Sequence, residues 1–129
     1  MDQPNKAFEE WQLQADYDLE TAESLLKSGR FVYVVFFCHL SLEKMLKALW
    51  TKKFKNVPLK THSLIFLKDR LEIIFPDEKA GKFVSYLNSL SVPTRYPDTL
   101  RALTKEFNFE KPSNILAQTK ETLQWLKQM

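Results

Sequence analysis

The chain has one cysteine, two glycines and two histidines among its 129 residues. Each scarcity removes a class of chemistry. A single thiol, Cys38, excludes an internal disulfide. It lies in the run Phe31-Val32-Tyr33-Val34-Val35-Phe36-Phe37-Cys38, where a buried inert thiol is expected rather than a nucleophile. His39 and His62 alone supply no Cys/His spacing of the kind that holds zinc, and no Glu-x-x-His is present. Two glycines leave no Gly-rich phosphate loop and no nucleophile elbow. The same apolar run ends at His39, far short of the roughly 20 residues that span a bilayer. No secretory leader is visible in Met1-Asp2-Gln3-Pro4, which lacks a basic segment followed by an apolar one. A cytoplasmic protein is expected.

Core-forming residues are plentiful by contrast. Hydrophobic types make up 44% of the chain, with ten Phe and three Trp, enough for one domain over residues 1–129. A net charge of +3 permits contact with phosphates without demanding it. Lys52, Lys53, Lys55 and Lys60 form a local cluster. Its simplest reading is a solvated helix end, where cations favour the negative end of the helix dipole.

Periodicity makes the fold all-α. Phe8, Trp11, Ala15, Leu19, Ala22 and Leu26 recur at three- and four-residue steps, the spacing of one helical face. Pro4 suits the first turn of this helix and Gly29 the left-handed position beyond its end. A second helix is expected from about Phe31 to Phe54. Its β-branched and aromatic start resembles a strand, but no second long strand-like segment exists to pair with it. An apolar first half then means burial on most sides. Thr61 or Ser63 caps a third helix with Leu64, Leu67, Leu71 and Ile74 facing inward. A fourth runs from about Glu78 to Leu90, although Gly81 costs it about 1 kcal/mol against alanine. Pro93 and Pro97 make the stretch Ser91–Pro97 irregular. Asp98 can cap a short helix over Thr99–Glu106, and a last helix from near Pro112-Ser113 carries Leu116, Thr119, Leu123 and Leu126. Short connections favour an up-and-down bundle of about five helices.

Three polar features stand out from this background. His39, Glu43 and Lys47 lie at i, i+4 and i+8 on the most apolar helix, where unpaired charge costs several kcal/mol. Spacing alone leaves two readings open: a groove or paired site, or a Glu43–Lys47 surface pair worth a few tenths of a kcal/mol beside a solvated Lys44. Next, Pro93-Thr94-Arg95-Tyr96-Pro97 stiffens a loop that presents a planar guanidinium and a phenol. Arg95 suits a phosphate, or else pairs internally with Glu43. Finally, His62 stands at a helix start where unpaired backbone N–H groups favour anions, although a lone histidine there is also a common capping residue.

The order Trp11…Ala15…Asp18-Leu19…Ala22…Leu25-Leu26…Gly29, Leu42-Glu43-Lys44…Lys47-Ala48, Thr61-His62-Ser63-Leu64…Leu67, Arg95-Tyr96-Pro97-Asp98 and Trp125-Leu126 resembles the HEPN family over nearly the whole chain. The resemblance implies a helical bundle that pairs as a homodimer. It also implies association with nucleotides or RNA, often beside a minimal nucleotidyltransferase in a toxin–antitoxin-like system. Many members are metal-independent ribonucleases with an Arg-x(4–6)-His motif. Here the positions that would hold that arginine carry Val32, Tyr33 and Val34 before His39, and Lys55, Asn56 and Val57 before His62. No histidine follows Arg95 or Arg101. The expectation is therefore a binding module without catalytic or metal residues and without a cofactor, its ligand groove formed by Glu43, Lys44, Lys47, His62, Arg95 and Tyr96. The alternative is a ribonuclease with a rearranged centre, in which Arg95 stabilises phosphate charge and His62 serves as acid or base.

Overall fold

A computed structural model of the chain describes residues 3–91 and 100–129. It contains α1 (Gln3–Lys27), α2 (Phe31–Phe54), α3 (Leu64–Arg70), α4 (Glu78–Ser89), α5 (Leu100–Glu106) and α6 (Glu110–Lys127), with no strand among the described residues. Arg95, Tyr96 and the expected cap Asp98 lie outside the described residues, as do Pro93 and Pro97.

Gly29 makes the turn between the first two helices. At φ +78° it occupies a conformation open to a residue without Cβ. Its N–H donates to the Leu26 carbonyl, and the Arg30 N–H donates to Leu25 O at 2.9 Å. These two bonds satisfy the last carbonyls of α1 as a Schellman closure. They also fold α2 back along α1.

The β-branched start of α2 is helical because the core surrounds it. Val32, Val34, Val35 and Cys38 are buried, as are Leu42, Met45, Leu46 and Leu49 further along. This helix packs against each of the others, so α2 is the axis of the bundle. Ser41 Oγ donates to Ala15 O across a buried 2.8 Å contact, which lets the helices approach at the small residue. Cys38 is fully buried, and burial pushes its thiol up to about 12 despite the hydrogen bond with Thr119 and the charge of Lys120.

The lysine cluster serves the end of α2. Lys53 Nζ donates to Leu71 O at 2.9 Å, and Trp50 Nε1 donates to Asn56 Oδ1 at 2.7 Å. One expectation about α3 fails. Ile74 is 85% exposed, and its neighbour Ile73 is buried instead. The helix ends at Arg70, and Glu72 takes a left-handed conformation at φ +58°. That turn breaks the helical phase, so periodicity past Leu71 points to the wrong residue.

Candidate functional site

Glu43 lies in the middle of α2 with only 3% of its surface exposed. A carboxylate so placed needs several partners to offset the loss of water. Lys47, one turn on and also buried, places Nζ 3.1 Å from Oε2. His39, one turn back, places Nδ1 3.6 Å from Oε1. His62 arrives from the α2–α3 connection with Nδ1 3.1 Å from both oxygens. The reading of Glu43–Lys47 as an exposed pair is thus replaced by a buried ion network.

This network engages the Nδ1 side of His62. An ionised carboxylate only accepts hydrogen bonds, so Nδ1 carries the proton and donates it. The Nε2 atom is then left on a ring whose side chain is 62% exposed. Neutral, Nε2 is an acceptor; protonated, it is a second donor. A buried carboxylate holding one nitrogen of an exposed imidazole is a geometry suited to meeting an outside group with a defined ring orientation. Lys60 lies two residues away and is exposed.

The helix start beside His62 is capped by Ser63, one of the two expected residues, but its neighbouring donors are not left open to an anion. Ser63 Oγ accepts from Phe66 N at 3.1 Å, and Leu64 N donates to Asn88 Oδ1 at 2.8 Å. Ser63 N donates to Thr61 Oγ1 at 3.1 Å. Those backbone donors are already satisfied, so they do not form an anion seat. Their role is to anchor the connection that carries His62, through Asn88 of α4.

Of the six residues expected in the groove, Glu43, Lys47 and His62 come together. Lys44 does not join them. Its Nζ meets Asp18 of α1 at 2.8 Å, making it a tie between α1 and α2 rather than a solvated side chain. Arg95 and Tyr96 are outside the described residues. Two residues not assigned to the groove border it: His39 at the inner end, and Trp11, whose ring centroid is 5.7 Å from Lys47 Nζ. Trp11 reads in sequence as core, and nothing in its spacing points to a cation. Asp16 of α1 pairs with Lys127 of α6. No group of three or more His, Cys, Asp or Glu side chains among the described residues is arranged to hold a metal ion.

A family profile described as "HEPN domain" matches residues 8–129. The chain belongs to the HEPN family. Solved structures of this HEPN fold agree in architecture. The crystal structure of TT1696 from Thermus thermophilus superposes with a TM-score of 0.78 at 23% identity, covering 94% of this chain and 96% of that one. ST0689, an archaeal HEPN homologue, superposes with a TM-score of 0.72 at 24% identity over 94% and 95% of the two chains. At these identities the likeness is one of fold. The comparison with curated proteins gives no match. No helix among the described residues is long and apolar enough to cross a membrane.

Proposed function

We propose that this HEPN-family chain is a binding module for the phosphate of a nucleotide or RNA, contacted by the protonated ring of His62, whose Nε2–H donates to it. The observation that carries the reading is the grip of buried Glu43 on His62 Nδ1 at 3.1 Å. It removes the ring's rotational freedom before a ligand arrives, which lowers the entropy lost on binding. Lys60 supplies a nearby cation, and Arg95 completes the set if its loop reaches the same groove. On this reading Lys47 holds Glu43 rather than the ligand.

A homodimer accompanies the proposal. Tyr33, Phe36, Phe37 and Leu40 lie at i, i+3, i+4 and i+7 along α2, and all keep some exposure in the single chain, Tyr33 the most at 46%. A second copy covering this aromatic stripe would bury it. A minimal nucleotidyltransferase, the partner that the family resemblance suggests, is the protein to test for co-purification.

One observation favours a second reading. A carboxylate that fixes Nδ1–H leaves Nε2 as a base, the arrangement used in general acid–base catalysis. A metal-independent ribonuclease would use it on a ribose hydroxyl. The two readings separate in one experiment with 5′-labelled single-stranded RNA and with AMP, in the presence of EDTA. Binding that weakens with salt, that falls about tenfold in His62→Ala and that leaves the RNA intact supports the binding module. RNA cleavage by the parent that disappears in His62→Ala assigns the ribonuclease. Unchanged binding in His62→Ala, with the RNA left intact by the parent, removes both.

A further inference from the structure

A second constellation, which shares no residue with the His62 groove, lies where the start of α4 meets α6. Phe75, Phe83 and Trp125 line a cleft of about 290 Å³ together with Asp77, Lys79, Ala80, Gln118, Glu121 and Thr122. Phe75 and Trp125 have ring centroids 5.6 Å apart at an interplanar angle of 43°, so they form one tilted wall. Phe83 is nearly buried beneath them. Asp77 Oδ1 accepts the Ala80 N–H at 2.8 Å to cap α4, which fixes the carboxylate. Among the described residues no cation lies within ion-pair distance of Asp77 or Glu121. Two carboxylates against one rim lysine, Lys79, leave the cleft with an excess of one negative charge.

We propose that this cleft receives an arginine side chain of a partner protein. Aromatic faces attract cations, and a guanidinium stacks flat on them where an ammonium does not. Its outward donors match carboxylates on the rim, with two oxygens available at Glu121 and one at Asp77. A protein carrier, rather than a small guanidinium compound, follows from the adjoining surface. A second hollow shares Phe75 and Asp77 with the first, its apolar floor of Ile65, Ile73, Ile74 and Gly81 rimmed by Lys68, Glu78, Lys82 and Ser85. Ile74 stands at 85% exposure beside it. A Cβ added at Gly81 would meet only the Phe75 ring, at 4.0 Å, so the helix surface there has room for an apolar residue flanking the arginine. A small ligand in the first cleft would leave that surface uncovered.

The test titrates ¹⁵N-labelled full-length protein with an acetylated pentapeptide, Leu-Val-Arg-Leu-Ala, following the Trp125 indole N–H and the backbone N–H groups of Ala80 and Glu121. Saturable shifts are expected, with affinity lowered about fivefold or more in Glu121→Gln and raised in Lys79→Ala, as charge removal on either side of the excess requires. Asp77→Asn preserves the helix cap, because asparagine caps as well as aspartate, and should weaken binding without loss of stability. The lysine version of the peptide should bind about fivefold more weakly. No shifts at several millimolar peptide, equal affinity for the lysine peptide, or indifference to both carboxylate substitutions would overturn the proposal. Ethylguanidinium binding as tightly as the peptide would overturn the protein partner.

Discussion

Replacing Glu43 by alanine tests the buried network at its hub. The substitution removes the partner of Lys47 Nζ at 3.1 Å and of His62 Nδ1 at 3.1 Å, and leaves Lys47, 8% exposed, with its charge in the bundle. Breaking a buried pair in this way costs about 3–5 kcal/mol. Lys47 has some relief, since its stem can swing towards the surface past Trp11, so the lower end, about 3 kcal/mol, is expected. For a urea dependence within the range of about 1–3 kcal/mol per molar found for small proteins, this shifts the unfolding midpoint down by about 1.5 M. Circular dichroism at 222 nm through a urea titration reads it. The paired substitution Glu43→Ala with Lys47→Met removes both charges and should recover more than half of the loss, because no uncompensated ammonium remains. A midpoint moved by less than about 0.5 M in Glu43→Ala would refute the buried-pair reasoning.

Further expectations follow from other parts of the bundle. Cys38, raised from 9.0 to about 12, should stay protonated and react with a thiol reagent at pH 8 at least ~1000-fold more slowly in the native protein than in urea. Because its folded value is the higher one, its contribution to stability is complete below pH 9 and is lost as the pH rises towards 12, a decline that Cys38→Ala should lessen in alkaline melting curves. Gly29→Ala places a side chain at φ +78° and should lower stability by about 1 kcal/mol, seen as a fall of a few degrees in Tm. Light scattering after gel filtration should give about twice the 15.2 kDa chain mass, and Phe37→Asp should return the monomer.

The parts legible in the sequence are those governed by local rules. Helical spacing from Phe8 to Leu26 and a glycine at position 29 suffice for α1, its end and the start of α2. The inert thiol follows from its apolar neighbours. Periodicity misplaces Ile74 because the chain reverses at Glu72, a non-glycine residue in a left-handed conformation, and no sequence signal marks such a turn. The α3 start misleads for a different reason. Local rules leave its N–H groups open to an anion, but Asn88 arrives from 24 residues away to accept from Leu64. Lys44 illustrates the same limit, since Asp18 on the neighbouring helix claims it. Spacing and position single out Glu43, Lys47 and His62, but their union depends on burial, and 19 residues separate Glu43 from His62. The stripe on α2 therefore reveals which groups need partners, and tertiary packing decides which partners they obtain.

On the proposed reading Glu43 holds His62 through Nδ1–H, and Nε2 takes up a proton that it donates to a phosphate oxygen. Long-range ¹H–¹⁵N correlation spectra of the His62 ring, recorded at neutral pH before and after AMP is added, examine both halves at once. The free protein should show the proton on Nδ1, and the Nε2 resonance should move saturably as AMP binds, with no such movement for adenosine. A proton on Nε2 in the neutral ring, or an Nε2 resonance that stays in place while AMP is bound, would contradict it.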